Sequence, residues 1–341
     1  DHLDIPQVTQ AGWQVVGTSI GTFAYRVDND AVTELNLLGN LGQPAYRQAG
    51  NLYGIILLPE SASAADIESA RSLLIDRGAA DGTTASNLNT YWYNRGDIVE
   101  FKSVDISNAI IISYAWSYCT SLTSFPALAM SSGNNFTGAW LGCSALTSFP
   151  AGAKLGTSAS NVNFSGAWRQ SGLTSFSTPL PTADILVASW RDCSSMTSFS
   201  VAELPLATDS RQSFLNCDFS TFSTEIPKSK AFQYCWSGCS SLTDFSADVL
   251  ANWNPVSLYD SVFDETWANC TSLTAQSVEN ILVSIDASGK YATTNGASGG
   301  SALADAGIDI DYNTATGTPA YSTLASLKAK GWSIIVNNVT L

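Results

Sequence analysis

The chain has 341 residues, room for two domains at roughly 100–200 residues each. Lys and Arg number 15 against 29 Asp and Glu, a net charge of −14, while charged residues make up only 13% of the chain and apolar ones 45%. This excludes a disordered chain, which needs low hydrophobicity and high charge, and a nucleic-acid binder, which needs clustered cations to neutralise phosphates.

The sole histidine, His2, lies at the N-terminus, which removes most hydrolase triads and most zinc sites. Gly17-Thr18-Ser19-Ile20-Gly21 matches the spacing of a nucleophile elbow, but that motif needs a helix after the serine and a histidine downstream. Thr22–Val27 reads as strand, so the match is read as a turn between two strands. Val32–Asn40 looks like a leucine-rich coil, and Tyr53–Leu58 reads as strand. Ser63 and Asp66 resemble a capping box for a helix to Arg77, with Ile67, Ala70 and Leu74 on one face and Gly78 as its stop. Asn87–Arg95 reads as a loop, and a domain boundary is placed near Gly96. The longest apolar runs, Ile55–Leu58 and Ala109–Ile112, fall far short of the roughly 18 residues of a membrane span.

A repeat then dominates. Trp116, Cys119, Leu122 and Phe125 set the pattern aromatic-x-x-Cys-x-x-Leu-x-x-Phe. Trp140, Cys143, Leu146 and Phe149 repeat it. The third copy begins at Trp168, is one residue shorter, and carries Ser171 in the cysteine position. Trp190, Cys193, Met196 and Phe199 form the fourth; Phe214, Cys217, Phe219 and Phe222 form a degenerate fifth. Trp236, Cys239, Leu242 and Phe245 follow, then Trp267, Cys270 and Leu273 without the phenylalanine. The spacings are 24, 28, 22, 24, 22 and 31 residues, the size of one solenoid coil. Bulky apolar groups at every third position suit a coil that sends these side chains into a shared core.

Six of the seven cysteines hold one repeat position, and Cys235 lies outside it. A repeated position stacks on itself, so these thiols read as small buried hydrophobes and not as a disulfide set.

The run Cys239-Ser-Ser-Leu-Thr-Asp-Phe-Ser, with its siblings, resembles the BspA-like leucine-rich repeats of bacterial and phage surface proteins. Cys270–Gly289, followed by Gly299-Gly300 and Lys328–Val336, looks like the terminal segment of such repeats in bacteriophage virion proteins, tail-fibre-like ones especially. The resemblance covers about residues 98–341. It implies an α/β repeat fold, a leucine-rich-repeat-like solenoid with one parallel strand per coil, over 97–273. It also implies a non-enzymatic virion structural protein, a tail fibre, spike or head fibre that contacts the host surface. The implied partners are other virion proteins, a host surface glycan or protein, and further copies of the chain as a homo-oligomer. No cofactor, metal, nucleic acid or membrane insertion is expected. Bacterial adhesins use the same coil, so a cell-surface adhesin or S-layer-like protein is the alternative.

Residues 1–96 are then an N-terminal α/β, attachment or cap region, and 274–341 a C-terminal helix-loop-helix-strand cap. Thr274 can cap a helix with Val278, Ile281, Leu282 and Ile285 on one face, ended by Gly289. A second helix over about 321–330 stops at Gly331, and Trp332–Val336 forms the last strand. Asp309–Asn313 shares the opening of a calcium loop but lacks its glycine and glutamate, and reads as a half-exposed strand.

The repeat aromatics read as core, which leaves function to the residues that vary between copies. Tyr259, Asp260, Asp264 and Glu265 are the polar-aromatic set of the kind sugar sites use. A glycan-cleaving enzyme would need two carboxylates roughly 5–9.5 Å apart across a groove. Asp192, Glu203, Asp244 and Asp248 sit at non-equivalent positions and disfavour it. The sequons at Asn135, Asn163, Asn269 and Asn338 are read as chance matches in a Ser/Thr/Asn-rich chain.

Overall fold

The computed structural model describes residues 86–101, 106–259, 261–292 and 307–341, together with the backbone of strands Gly12–Thr18, Gly21–Val27 and Ile56–Leu57. The chain divides into two compact units, Asp1–Thr84 and Ala85–Leu341. In the first, Gly12–Thr18 pairs antiparallel with Gly21–Val27, Thr18 opposite Gly21, and Ile56–Leu57 adds in parallel to the second strand. The elbow-like stretch Gly17–Gly21 thus joins paired strands, and a strand follows where a nucleophile elbow requires a helix. The coil expected at Val32–Asn40 and the helix expected from Ser63 to Arg77 lie outside the described residues.

The second unit is mixed α/β, with short parallel strand pairs and few helices. Each repeat copy forms one layer, bonded to the next through every second amide. In the Trp116 layer, Ile112, Tyr114, Trp116 and Tyr118 donate to the carbonyls of Asn135, Thr137, Ala139 and Leu141 at 2.7, 2.8, 2.8 and 2.6 Å. The intervening amides of Ala115, Ser117 and Cys119 close turns onto Ile112, Tyr114 and Trp116 at 3.2, 3.2 and 3.1 Å. Half of the backbone donors are satisfied within a layer and half between layers, so neither set is left unpaired in the interior.

This alternation needs a left-handed residue two before and two after each aromatic. Tyr114 and Tyr118 have φ of 54° and 59°, and Gly138 and Gly142 repeat the conformation at 59° and 70° one layer on. Left-handed residues break an extended chain, so the expected strand per coil shrinks to pieces. The parallel pairs are two residues long at Ser175–Phe176 with Ser198–Phe199, at Thr221–Phe222 with Asp244–Phe245, and at Ala129–Met130 with Lys154–Leu155. Isolated parallel bridges such as Asn87 with Ile111 and Ile111 with Asn135 continue the pairing elsewhere.

The stack begins earlier than the sequence boundary at Gly96. Trp92 is buried and stacks on Trp116 at 5.0 Å with 8° between ring planes. Arg95, Ile98 and Phe101 follow it at the spacings of the cysteine, leucine and phenylalanine. Asn87–Arg95, read as a loop, is therefore the turn run of a further layer.

From Trp92 the large rings form two columns. Trp116, Trp140, Trp168 and Trp190 succeed one another at 5.4, 5.4 and 5.3 Å, nearly coplanar in orientation. Phe214 continues the column from Trp190 at 5.1 Å, and Trp236 and Trp267 complete it at 6.1 and 5.7 Å. Phe101, Phe125, Phe149, Phe176, Phe199, Phe222 and Phe245 form the second column at 5.4 to 6.0 Å. Each column tryptophan whose copy keeps the phenylalanine meets it edge to face, as Trp116 meets Phe125 at 4.8 Å and 78°. Such ring pairs add about 0.5–1.5 kcal/mol beyond area burial.

The C-terminal module closes the last layer. Trp267 donates its amide to the Asp309 carbonyl at 3.3 Å, so strand Gly307–Ile310 stands where another layer would. That strand pairs in parallel with Ser333–Val336, to which Val339–Thr340 adds antiparallel. Its exposure alternates, but it lies earlier than the half-exposed strand expected at Asp309–Asn313, of which only Asp309 and Ile310 are in it. Thr274 caps the helix Ala275–Ala287 through the Ser277 amide, and Val278, Ile281, Leu282 and Ile285 are buried. Gly289 follows with φ of 69°. The second helix spans Leu324–Ala329 and Gly331 turns the chain after it with φ of 85°. Lys330 Nζ reaches Asp286 Oδ1 at 2.7 Å and joins the two helices. Among the described residues, no helix is long and apolar enough to cross a membrane.

Candidate functional site

The repeat residues are core. Trp116, Cys119, Leu122, Phe125, Trp140, Cys143, Leu146, Phe149, Trp168, Trp190, Cys193, Met196, Phe199, Cys217, Trp236, Cys239, Leu242, Phe245, Trp267, Cys270 and Leu273 are all buried. None of them can meet a large ligand without unfolding its layer.

The cysteines share one bond. Each of the six thiols at the repeat position donates to the carbonyl of the aromatic residue one layer earlier, from Cys119 to Trp92 at 3.1 Å through to Cys270 to Trp236 at 3.1 Å. All seven cysteines are free and buried. Burial pushes the Cys193 thiol up to about 11, against a smaller opposing pull from Ser171, and Cys239 up to about 12. These are protonated donors and poor nucleophiles. Cys235 directly precedes Trp236, where other layers carry Ala115, Ala139, Ala167, Ser189, Ser213 or Thr266. Its carbonyl accepts the Phe214 amide, so it fills a small-residue position of the same stack.

What differs from layer to layer is the outer side of the turn run. It carries the residues two and three before, and one and two after, each aromatic. Along this turn face stand Tyr114 and Tyr118, then Gly138 and Gly142, then Arg169 and Gln170, Arg191 and Asp192, Arg211 and Gln212, and Asn216. Tyr114 and Tyr118 are each 38% exposed. Their rings lie over glycines of the next layer: a Cβ on Gly138 would meet the Tyr114 ring at 2.4 Å, and one on Gly142 the Tyr118 ring at 2.6 Å. Tyr93 packs edge-on against Tyr118 at 5.9 Å.

The set Tyr259, Asp260, Asp264 and Glu265 is not one cluster. Tyr259 is exposed and lies under the Arg211 guanidinium at 6.0 Å. Asp264 and Glu265 flank Tyr234, whose amide donates to the Asp264 carbonyl and whose hydroxyl reaches Glu265 at 3.4 Å. Burial, with Asp311, Glu265 and Asp264 nearby, raises the Asp309 carboxyl above its usual range. Asp260 lies outside the described residues.

The other acidic candidates are spread over the fold. Asp192 lies beside Arg169 and Arg191 on the turn face, and Glu203 bridges to Glu225. Asp244 stands beside Phe245 in a two-residue strand, and Asp248 in the short helix Ala247–Leu250. Among the described residues, no group of three or more His, Cys, Asp or Glu could hold a metal ion. Two sequons have a structural use: Asn135 and Asn163 turn their side-chain oxygens back to the amides of Thr137 and Ser165 at 3.0 and 2.8 Å. These are Asx turns, which brace the start of the turn run.

Sequence reasoning passed over the Tyr114, Tyr118, Arg169 and Arg191 strip. Its only sequence signal is that cations and aromatics recur at fixed offsets from the repeat tryptophan. No family model, curated protein or solved structure matches the chain.

Proposed function

We propose that residues 97–273, extended back to the Trp92 layer, form a leucine-rich-repeat-like solenoid of the BspA-like kind capped by 274–341, and that the chain is a non-enzymatic virion structural protein. It would serve as a tail fibre, spike or head fibre that contacts the host cell surface without covalent chemistry. The observation that carries this reading is the division of each layer. Inward positions keep the same residue types from layer to layer, while the turn face changes at nearly every position. A stack that repeats its core and varies one face has the form of an extended recognition surface.

The buried, protonated thiols offer no nucleophile, and the few acidic side chains of the layers engage turns and ion pairs. Partners in this reading are other virion proteins, a host glycan or protein, and further copies of the chain. Peptide mass spectrometry across a density gradient of the source material tests it. The virion reading expects these peptides to band with capsid proteins in intact particles. Banding with cell envelope free of capsid would replace it with the adhesin reading.

A further inference from the structure

Four arginines stand on or beside the turn face, and they fall into two kinds. Arg95 and Arg211 each hold a carboxylate of their own. Arg95 donates from Nε and Nη2 to Asp97 at 2.7 and 2.7 Å, and Arg211 from the same atoms to Asp209 at 2.9 and 2.6 Å. Arg169 and Arg191 are different. They occupy the same place, one residue after the tryptophan, on adjacent layers. They share Asp192, whose Oδ2 lies 3.8 Å from Arg169 Nε and 3.3 Å from Arg191 Nε. Both Nε atoms are buried and lack a hydrogen-bond partner. The other oxygen of Asp192 accepts from Asn216 Nδ2 at 2.8 Å. Gln212 Oε1 fixes the Arg191 fork through Nη1 at 2.7 Å.

Two guanidiniums with one partly engaged carboxylate leave a local positive charge in a chain of net charge −14. Adjacent layers lie about 4.8 Å apart, so the two cations repel each other, and Asp192 between them balances only one of the two charges. A guanidinium fork matches the paired oxygens of a carboxylate.

The neighbouring layers supply a second kind of contact. The Tyr118 ring lies over Gly142, and the Gly142 amide donates to the Arg169 carbonyl at 2.8 Å. The Tyr118 ring thus lies over the layer next to Arg169, and Arg191 follows one layer further on. Tyr114 and Tyr118 hold left-handed backbone positions, which Gly or Asn fills with less strain in other layers. Bulky residues kept in such a conformation point to a use for the ring itself.

We propose that the strip from Tyr114 and Tyr118 to Arg169 and Arg191 binds an acidic polysaccharide, with sugar faces on the tyrosine rings and a carboxylate against the outer edges of the two guanidiniums, beside Asp192. The inference rests on the surface-attachment reading above and names the ligand class of that face. A free small anion would use the arginines alone and leave the rings idle. A strip that crosses several layers instead suits a chain of sugar units.

Isothermal titration of the full chain with acidic oligosaccharides tests this, using oligogalacturonate, hyaluronan and oligosialate fragments against neutral malto-oligosaccharides of matched length. At least one acidic oligomer should bind, with the neutral series weaker by about tenfold or more, as loss of charge-assisted pairing implies. Arg169→Gln with Arg191→Gln should abolish that preference. Tyr118→Asn should weaken binding with an unchanged melting temperature, because Asn94, Asn216 and Asn269 already hold the equivalent position. Arg95→Gln, which removes a paired cation, should change nothing. Equal affinity for neutral oligomers, no binding by any acidic one, or full binding by the double arginine variant would overturn the proposal. Banding with particles is read independently of these outcomes, so the ligand and the virion reading can fail separately.

Discussion

Cys193 donates its thiol to the carbonyl of Trp168 at 3.0 Å, so a side chain in one layer bonds the backbone of the layer before. Ser171 fills the same position one layer earlier and lies 3.4 Å from the Cys193 sulfur. A hydroxyl is therefore already accommodated in this column. Cys193→Ser should melt within a few degrees of the parent, a change of less than about 1 kcal/mol, as expected when one small donor replaces another. Trp190→Ala, which opens a gap in the ring column, should cost about 3–5 kcal/mol. Chemical denaturation of the two variants checks the order, and its reversal would contradict the core assignment.

The thiols also set an alkaline limit. Burial raises Cys193 from an ordinary 9.0 to about 11, and Cys239 to about 12. The folded state therefore keeps protons that the unfolded chain releases. The stability this confers is fully present below about pH 9 and is lost as pH rises towards 11 and 12. Melting temperatures recorded from pH 7 to 11 should fall above pH 9. A thiol reagent at pH 8 should label the described cysteines only after denaturant is added, and fast labelling of the native protein would refute their burial.

Gly172 explains the shorter third copy. A Cβ there would lie 2.1 Å from the Ser144 carbonyl oxygen, a backbone atom that cannot swing aside. Gly172→Ala should destabilise by about 1–3 kcal/mol through overpacking. At Gly289 a Cβ meets nothing within 4 Å, although φ is 69°. Gly289→Ala should cost only the left-handed strain, about 1–2 kcal/mol. Equilibrium unfolding curves of the two variants check both costs.

Thr274 does two jobs. Its amide donates to the Thr243 carbonyl at 3.1 Å, as the threonines of earlier copies do, and its hydroxyl caps the following helix. Thr274→Ala should lower stability by about 1 kcal/mol, and Thr274→Ser should restore most of it. Helical content by circular dichroism during thermal melts checks this.

Lys330 locks the cap from the other side. Burial alone would raise the Asp286 carboxyl, but hydrogen bonds from Lys330 and Ser326 and the lysine charge hold it below its ordinary 3.8. That stability is present above about pH 4 and disappears as pH falls below 3.8. Lys330→Met should remove the acid-side decline and lower stability at pH 7, read by melting over pH 2 to 7.

The repeat was legible because inward side chains must recur wherever layers stack. The same spacing that marks Trp140, Cys143, Leu146 and Phe149 in the sequence fixes their burial in the core. The C-terminal helix was legible because Thr274 and the Val278, Ile281, Leu282 and Ile285 stripe are local signals. The Trp92 layer was missed for a physical reason. The cysteine position serves to reach an aromatic carbonyl one layer back, and Trp92 is the first aromatic of the described stack. Arg95 takes that place and pairs with Asp97 instead, which hides the copy from a cysteine-based pattern. The left-handed turn run was also hidden, since Tyr, Gln, Ala and Asp occupy positions that glycine or asparagine would announce. The Tyr and Arg strip recurs only at scattered copies, Arg169 and Arg191 one residue after the tryptophan and Tyr114 and Tyr118 two residues either side of it, and only the folded layers bring its members together.

The tryptophan column has an optical consequence. Trp92, Trp116, Trp140, Trp168 and Trp190 hold nearly parallel indoles at 5.0 to 5.4 Å, and Phe214 then interrupts the series before Trp236 and Trp267. Transition dipoles so close and so aligned couple strongly, so light absorbed by one indole is shared among its neighbours. The stacked indoles should show near-ultraviolet hypochromism that is lost on unfolding. Phe214 widens the gap between indoles, so coupling across it is weaker than within either the longer or the shorter segment. Loss of a tryptophan should thus perturb the absorption of its own segment most.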